Sequence, residues 1–473
     1  MATRKSAVKE PSAAEKKRAR AKAVSDPASV FTPNYEELLD DLEKKARVTQ
    51  GAMSPEARKG STFSSNMLGT DLMLSGGLIG GRWYTFFGGE GSAKSTGLAH
   101  IKMSAADTGV AIQLDEDYEG SAVGDYYNGI LEFASRKMKD VTDLYGLKDH
   151  EGNVIKKPRV RYYNPTTAEE FFNPVASLLR KLPDKVFLEN RWWYAWDADK
   201  RGRAMAGNSY SKSMYTKHQR LFIEAQNGLP QAIFYLDSYP AMFPEALDDD
   251  DAGRGMAAIA RAMSENVPKI FPKLRPKNVT LIGVNQLRQR PGFNMGDPSY
   301  EPAGDTIKFA SSVRVRQTAR SVPHGKGPIE KEASVLYAGA YDTYRYIHMK
   351  TIKNKVSTPY LEAWQRVWVD DSTGTAHGFC PVWDTFQYLK NTGQLAGNMK
   401  KMRVTLGSYK FVATWDQFKA LILLRGESLK RVLKQLKLAK DPQLRLRCFH
   451  QLREGDGLKM YFETLKTRQK EEA

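Results

Sequence analysis

The residues best suited to chemistry form a Gly-rich segment that ends in a lysine and two hydroxyl side chains: Gly88, Gly89, Glu90, Gly91, Ser92, Ala93, Lys94, Ser95 and Thr96. The segment lies between a short apolar run, Trp83 to Phe87, and a helix-like run, Thr96 to Ala106. A strand, a Gly-rich loop and a helix in this order can bind phosphate, because loop N–H groups and the helix N-terminus face the same anion. Lys94 is predicted to reach the β- and γ-phosphates of a nucleotide, and Ser95 to ligate Mg²⁺.

One position departs from the usual phosphate-loop pattern. Ala93 occupies the place where a second glycine is expected. Alanine is tolerated there if the backbone is already helical, but it is strained if the position needs a positive φ. The alternative is a Gly/Ser-rich turn that only precedes a lysine.

Carboxylates follow the next predicted strand, Val110–Leu114. Acidic side chains at the carboxyl end of a strand lie beside a phosphate loop in open α/β sheets, where one can deprotonate an attacking water. The candidates are Glu116, Asp117 and Glu119, and the sequence leaves the choice open. A helix cap and a solvated turn account for some of them.

Two further apolar strands end in polar side chains. Ala232–Leu236 leads into Asp237, which is predicted to hold a water on Mg²⁺ beside Ser95. Val279–Val284 leads into Gln286, whose amide could sense a γ-phosphate or could only cap the next turn.

The loops after these strands are candidates for nucleic-acid binding. Leu287 to Asp305 is long and carries Arg288, Arg290 and Phe293, a combination suited to gripping a backbone and wedging between bases. The earlier loop around the four aspartates 248–251 is acidic, although two arginines beside it could contact phosphate, namely Arg254 and Arg261.

Two lysines lie near the end of a later strand-like segment. Alternation along a strand puts Lys353 and Lys355 on one face. Such cations could neutralise phosphate charge, or they could form a solvated basic edge.

Composition limits the function classes. The chain has 473 residues, and Lys+Arg exceed Asp+Glu by 72 − 54 = 18, which favours a polyanionic partner and nucleic acid before membrane. No apolar run predicts a transmembrane helix or a secretory signal. The two cysteines, Cys380 and Cys448, form neither a disulfide framework nor a zinc spacing, so a reducing cytoplasm is expected.

The elements that must position these residues alternate between strand and helix from about 61 to 350, which predicts a mostly parallel α/β sheet flanked by helices. Further strands are predicted at Arg159–Tyr163 and Ser312–Gln317, and helices at Thr167–Leu182 and Met256–Phe271. We expect a disordered basic arm (1–33), an N-terminal helix and linker (34–60), a core (61–384) and a small, basic, helix-rich C-terminal domain (385–473). The helices of that last domain are predicted at Trp415–Leu424 and Ser428–Leu438. The helix in 34–60 is expected either to dock on a neighbouring protomer or to pack on its own domain.

Two insertions interrupt the core, near 130–157 and 184–228. The second contains the aromatic run Trp192 to Trp196 beside Arg191 and the cations Lys200, Arg201 and Arg203. These aromatics could stack on bases, but clustered tryptophans more often form a small core of their own, which we favour.

Taken together, the motifs resemble the RecA family of homologous-recombination ATPases, from about Ser61 to about Gly397. The Gly-rich approach from Leu72 to Arg82 contributes to the resemblance, and the stretch from Asn285 to Arg314 can be laid on the bacterial family pattern without a gap. Several departures from the family pattern indicate a divergent member, such as one encoded by a bacteriophage. They are Ala93, an aspartate in place of a catalytic glutamate, an acidic first loop and the two insertions.

The resemblance implies a RecA-like ATPase core that uses ATP and Mg²⁺. It implies that Asp117 matches the catalytic glutamate, that Gln286 couples the γ-phosphate to the DNA loop, and that 287–305 and 250–256 are the DNA-binding loops. Lys353 and Lys355 would reach the ATP of a neighbouring protomer. The DNA contacts expected on this basis are Arg254, Arg261, Arg288, Arg290, Phe293, Lys308 and Arg314.

The function expected from this resemblance is an ATP-dependent recombinase that forms a helical filament on single-stranded DNA and exchanges strands with a homologous duplex. A RecA-like regulator or mediator with weak ATPase activity is one alternative, since Ala93 and Asp117 both favour slow hydrolysis. A hexameric replicative helicase shares the nucleotide motifs. A P-loop small-molecule kinase is disfavoured by the basic charge and by the lack of a recognisable lid.

Overall fold

A computed structural model describes residues 62–118, 124–135, 137–225, 229–242, 244, 255–289, 299–302, 304–320, 342–370, 375–391, 393–398, 400–406 and 409–418. Several predictions lie outside these residues: the arm (1–33), the docking helix and linker (34–60), the acidic loop and the helix at Ser428–Leu438. Within the described residues, no helix has the length and apolar character needed to cross a bilayer.

Twenty-one strands are described, several of them only two residues long. They are β1 (Thr62–Phe63), β2 (Leu78–Ile79), β3 (Trp83–Gly88), β4 (Ile112–Asp117), β5 (Leu147–Lys148), β6 (Val154–Lys156), β7 (Arg161–Tyr163), β8 (Asp184–Leu188), β9 (Arg191–Asp197), β10 (Arg220–Glu224), β11 (Ala232–Asp237), β12 (Val279–Gln286), β13 (Arg288–Gln289), β14 (Ser299–Tyr300), β15 (Val313–Arg320), β16 (Asp342–Asn354), β17 (Glu362–Asp370), β18 (Thr375–Phe379), β19 (Leu395–Asn398), β20 (Lys401–Leu406) and β21 (Tyr409–Ala413).

Ten α-helices are described, and a 3₁₀ turn follows β11 at Tyr239–Ala241. The helices are α1 (Leu68–Met73), α2 (Lys94–Thr108), α3 (Gly124–Ala134), α4 (Thr142–Tyr145), α5 (Ala168–Lys181), α6 (Lys200–Ala206), α7 (Lys212–His218), α8 (Gly255–Leu274), α9 (Asp305–Ala310) and α10 (Pro381–Asn391).

Nine strands form the central sheet, in the order β18-β17-β16-β15-β3-β12-β11-β4-β7. The strands from β15 to β7 pair in parallel, whereas β16, β17 and β18 are added antiparallel. All six predicted strands are present with shifted ends, and most pairings in the sheet are parallel as predicted, with three antiparallel strands added at one edge. The short connection 355–361 between β16 and β17 explains this, because a tight turn can only join antiparallel strands.

Helices cover both faces of the parallel part. β3 and β11 are buried at every position, as expected of strands with helices on both sides. Their side chains alternate between two cores, so that Trp83, Phe234 and Leu236 face α5 and α8. Tyr84 and Tyr235 face α2, and α3 packs on the outer side of that helix.

Helix α5 shows how the sequence specifies one of these layers. Its apolar residues Phe171, Val175 and Leu179 recur every four positions and are buried. Thr167 caps the helix by accepting a hydrogen bond from the Glu170 backbone N–H, and the Glu170 carboxylate accepts from the Thr167 N–H in return. The helix was predicted at Thr167–Leu182, which is confirmed to within one residue at each end.

The two predicted insertions differ in kind. The first, near 130–157, begins inside α3 and continues into α4 and the β5–β6 hairpin. Since α3 packs on α2, its first part belongs to the layered core. The second forms a separate antiparallel sheet in the order β10-β9-β8, with α6 and α7 between β9 and β10.

The described part of the C-terminal region is richer in strand than expected. The predicted boundary at 384/385 falls inside α10, and the antiparallel sheet β19-β20-β21 follows. Of the predicted helix Trp415–Leu424, residues 415–418 are helical and the rest lies outside the described part of the chain.

Candidate functional site

Four strand ends meet at one edge of the central sheet. Parallel pairing places Gln286 of β12 opposite Gly88 of β3, and Asp237 of β11 opposite Asp117 of β4. The carboxyl edge of a parallel sheet is where open α/β folds bind ligands. The predicted phosphate loop, metal carboxylate, catalytic carboxylate and sensor amide are therefore neighbours.

The two carboxylates share one face of the sheet. Tyr235 packs in the core beneath α2, so strand alternation puts Asp237 on that face. Asp115 pairs with Lys102 of α2, and Asp117 consequently faces the same way. The helix that begins at the phosphate loop thus covers the face onto which both carboxylates project.

The phosphate loop turns back on itself before α2. The Lys94 ammonium group donates to the Gly89 carbonyl at 2.8 Å, and the Ser92 hydroxyl donates to the same oxygen at 2.7 Å. A Cβ on Gly88 would lie 2.1 Å from the Gln317 carbonyl oxygen, so only glycine fits there. The lack of a side chain at Gly88 therefore lets the start of the loop pack directly against the backbone of β15.

The conformation of Ala93 settles the question that the sequence left open. Its φ is 58° and its ψ 33°, in the left-handed region, at the N-cap of α2. An L-residue has a steric cost in this conformation that glycine avoids. Ala93 is therefore a strained substitution at this position of the loop.

The donor set fits a triphosphate with a divalent ion. Lys94 is a flexible cation that donates to oxygens of its own loop, and Ser95 follows it in the first turn of α2. Within the described residues, no three His, Cys, Asp or Glu side chains cluster as a metal site. An ion at this edge would be held by Ser95, Asp237 and ligand oxygens rather than by a protein cage.

The two adjacent carboxylates of β4 differ in environment. Glu116 points to the opposite face from α2, where burial, and next the charges of Asp115 and Glu170, raise its pKa to about 8. A carboxyl with this pKa holds its proton at neutral pH. Asp117 lies on the side of the phosphate loop, and the Tyr162 hydroxyl donates to its carboxylate at 3.4 Å.

Of the two described candidates, Asp117 is the one on the side of the phosphate loop, and its catalytic role stays a prediction. Glu116 is misplaced for the role, because its side chain lies on the far face of the sheet from the phosphate loop. Glu119 lies outside the described residues.

Lys353 and Lys355 are not equivalent. The Lys353 ammonium group donates to the carbonyls of Lys308 and Phe309, at 2.6 and 2.9 Å, and so caps the end of α9. Burial, and next the charges of Lys355 and Arg314, lower its pKa to about 8. Lys355 follows the end of β16 and is exposed. The two lysines were expected to act alike, but only Lys353 is hydrogen-bonded to the end of α9.

The predicted DNA contacts are only partly described. Arg254, Arg290 and Phe293 lie outside the described residues, and the base of the second loop is closed by pairing of β13 with β14. Arg314 is buried in an ion pair with Glu301, and its guanidinium lies 4.7 Å from the centre of the Phe87 ring. That arrangement makes Arg314 a support of the loop base rather than an exposed contact.

The other described candidates take part in local ion pairs. Lys308 binds Asp305 at 2.7 Å, and Arg261 binds Glu265 at 2.8 Å on the exposed side of α8. Arg288 is exposed on β13. These local pairs leave Arg288 as the most accessible described cation of the second loop.

Sequence reasoning missed a buried network behind the site. Lys102 of α2 is 2% exposed and forms an ion pair with Asp115. Its ammonium group also donates to the hydroxyls of Tyr127 and Tyr145, at 3.0 and 3.1 Å. Burial alone would lower the pKa of Lys102, but Asp115 and Tyr127 raise it above its ordinary value. The sequence feature that could have predicted this network is Lys102 itself, a lysine among the apolar residues of α2.

Part of the chain is similar to RecA proteins. Residues 230–372 match the RecA N-terminal domain. The chain is 32% identical over 136 residues to Protein RecA of Mycoplasma mobile, which covers 28% of this chain and 37% of that protein. Protein RecA of Streptococcus mutans is 30% identical over 133 residues, covering 28% and 32% respectively. A mitochondrial DNA repair protein recA homolog of Dictyostelium discoideum is 29% identical over 133 residues, covering 28% and 26%.

These matches support a relationship with the RecA family, and the mixed α/β sheet is compatible with that fold. The chain spans about a third of the length of these relatives. The family match contains Asp237, Gln286, the second loop and both lysines, but it begins after the phosphate loop and β4. The assignments of Lys94 and Asp117 therefore depend on their geometry.

Proposed function

We propose that this protein is an ATP-dependent DNA recombinase that forms a helical filament on single-stranded DNA and pairs that strand with a homologous duplex. The observation that carries the proposal is the meeting of Gly88, Gln286, Asp237 and Asp117 at one edge of the sheet. Similarity to RecA proteins over the segment that supplies two of these residues adds support.

Each residue of the edge has a chemical task. Bound Mg-ATP supplies a phosphoanhydride whose hydrolysis releases free energy and whose negative charge must be neutralised. Lys94 and the loop N–H groups bind the phosphates, and Ser95 and Asp237 hold the metal. Asp117 accepts a proton from the attacking water, with Tyr162 orienting its carboxylate.

The backbone directly after Gln286 links the site to the second loop. The N–H of Leu287, the next residue, donates to the Gly88 carbonyl at 2.9 Å, so the start of the loop is bonded to the start of the phosphate loop. A change in the phosphate loop is thus transmitted to residues 287–305 through one backbone hydrogen bond. This connection is the proposed coupling between nucleotide and DNA.

An exposed aromatic ring is a candidate contact for self-association. Phe309 at the end of α9 is 76% exposed, next to the carbonyls that Lys353 binds. Single exposed apolar side chains are common on protein surfaces, so the proposed filament rests on the similarity to RecA proteins, and Phe309 is a residue to test within it. Head-to-tail contacts that do not close produce a helical filament.

The test is negative-stain microscopy with single-stranded DNA, Mg²⁺ and a non-hydrolysable ATP analogue, with ATPase assays in parallel. We expect helical filaments and DNA-stimulated hydrolysis, followed by strand exchange with a homologous duplex. Closed rings would instead favour the hexameric helicase. The absence of both filament assembly and DNA-stimulated hydrolysis would contradict the recombinase.

Matched variants separate the roles of the site residues. Lys94→Ala is expected to abolish nucleotide-dependent assembly, and Asp117→Asn to lower kcat by about 10²–10⁴-fold with little change in KM. Glu116→Gln is the control, since its side chain faces away from α2, and it should retain most activity. The reverse ranking of Asp117 and Glu116 would move the catalytic role to Glu116.

A regulator or mediator with weak ATPase activity is the second candidate. Ala93 favours it, because a strained loop residue weakens the cradle for phosphate, and so does the shorter carboxylate of Asp117. Such a protein would bind ATP and DNA without forming filaments or exchanging strands. The same microscopy and exchange assays separate the two candidates.

A further inference from the structure

The three-stranded insertion lies outside the segment that matches the RecA domain, and none of the roles proposed above uses it. Strands β10 and β8 are its two edges, and both connecting helices pack near β10. Helix α6 approaches Trp196 through Gly202, where a Cβ would lie 3.2 Å from the tryptophan Cβ. Helix α7 packs through Met214 on Phe222.

Two tryptophans of the insertion, Trp192 and Trp193, pack against other residues of the insertion. Trp193 is 7% exposed in a small core with Met214 and Phe222. Trp192 packs edge-on against Phe187 at 5.1 Å, and the Lys185 ammonium group lies 4.8 Å from its ring centre. The favoured interpretation, a small core, is supported for Trp193, whereas Trp192 lies on the opposite face of β9 and is half-buried against Phe187 and Lys185.

The cations on the two helices of the insertion are exposed to solvent. Between residues 200 and 218 the chain carries five Lys or Arg and no Asp or Glu. All five side chains are exposed, and we call this surface the basic helix pair: Lys200, Arg201, Arg203, Lys212 and Lys217. The two helices adjoin, since the Arg203 guanidinium donates to the Tyr215 hydroxyl at 3.3 Å.

Acidic side chains nearby neutralise little of this charge. Asp199 caps α6 by accepting a hydrogen bond from the Gly202 N–H and keeps its negative charge, and Asp197 pairs with Arg220 outside the helix pair. Glu189 pairs with Lys217 only. Among the described residues, Lys200, Arg201 and Lys212 have no ion-pair or hydrogen-bond partner for their side chains.

We propose that the basic helix pair binds the sugar–phosphate backbone of duplex DNA without reading its sequence. The tyrosines beside these cations, Tyr210 and Tyr215, are partly buried and pack on each other at 5.8 Å. Single-strand binders present open aromatic platforms on which bases stack, so this surface is better suited to phosphate contacts. A duplex also has the denser charge, about one per 1.7 Å of axis, which rewards a cluster of cations most. The proposal rests on the proposed function, in which the protein must hold a duplex as well as a single strand.

The test measures DNA affinity of a charge-reversal variant, Lys200→Glu/Arg201→Glu/Lys212→Glu, in the full-length protein. The matched control is Lys148→Glu/Lys157→Glu/Lys181→Glu, which changes the net charge equally at exposed positions elsewhere. Fluorescence anisotropy with a short labelled duplex and with a single strand is recorded over a range of salt, and circular dichroism checks folding.

We expect the insertion variant to bind duplex at least about tenfold more weakly than the control at low salt. Its log–log salt slope should fall by about 0.9 for each phosphate that the variant no longer neutralises, and its ATPase activity and single-strand affinity should match the control.

Three outcomes would contradict different parts of this account. Equal duplex binding by both variants would overturn this inference while leaving the recombinase intact. Equal losses on duplex and single strand would overturn the preference for duplex. A wild-type protein that binds neither DNA would instead contradict the proposed function.

Discussion

Two regions of helix α2 are built differently. Toward its middle, Lys102 is buried and bonded to Asp115, Tyr127 and Tyr145. At its start, Ala93 is held in a left-handed conformation, and the neighbouring Gln317 of β15 is 1% exposed, with no partner for either atom of its side-chain amide among the described residues. The helix is thus anchored behind the site and strained at the site, where a ligand would contact it.

The largest effect is expected from breaking the anchored region. Lys102→Met leaves the buried Asp115 without its cation and should lower the free energy of unfolding by about 3–5 kcal/mol. Chemical denaturation measures the change. The double variant Lys102→Met/Asp115→Leu should recover much of the loss, because no buried charge is left uncompensated. A single variant within about 1 kcal/mol of wild type would show that Lys102 is no anchor.

A second prediction concerns the carboxyl that faces away from α2. Glu116 has a folded-state pKa of about 8, above its ordinary 4.5, so the folded state keeps a proton that the unfolded state loses between these pH values. Its contribution to stability is therefore complete below pH 4.5 and is lost as the pH rises toward 8, with a slope of up to about 1.4 kcal/mol per pH unit. Glu116→Gln cannot lose a proton and should flatten this decline in denaturation curves recorded between pH 4.5 and 8. Identical pH dependence in variant and wild type would contradict the raised pKa of Glu116.

The strained region should respond in the opposite sense to the anchored one. Gln317→Met replaces a buried amide that has no partner among the described residues with an apolar side chain of similar length, and should raise the free energy of unfolding by about 1 kcal/mol. Thermal denaturation gives the sign. A lower melting temperature would mean that the amide is bonded in the folded protein. Weaker nucleotide binding by a more stable variant would show that the amide is reserved for the bound state.

The smallest effect is expected at the loop itself. Ala93→Gly removes the steric cost of the left-handed conformation but adds chain entropy to the unfolded state, so a net gain of up to about 1 kcal/mol is expected. Ala105→Gly, in the interior of α2, is the control and should lose roughly 1 kcal/mol or more. If both substitutions destabilise equally in chemical denaturation, Ala93 is not strained.

The sequence by itself determined the phosphate loop, the apolar strands and the polar residue at the end of each strand, because these depend on local spacing and on strand alternation. The predicted strand ended at Leu114, so alternation could be applied to Glu116 and Asp117 only once the structure extended the strand to Asp117. The sequence could not show which face of the sheet α2 covers, because that is set by the contact between Lys102 of α2 and Asp115 of β4.

Only the tertiary structure decided which cations are available. Arg314 and Lys353 look equivalent to other basic residues in the sequence, but Glu301 and the carbonyls at the end of α9 occupy them. Likewise, the sequence of the insertion mixes aromatic and basic residues, and folding buries Trp193 while the cations of the basic helix pair are exposed. The physical reason is the same in each case. The partner of a side chain is often a residue far away in the sequence that folding brings close, and a local sequence pattern contains no information about such contacts.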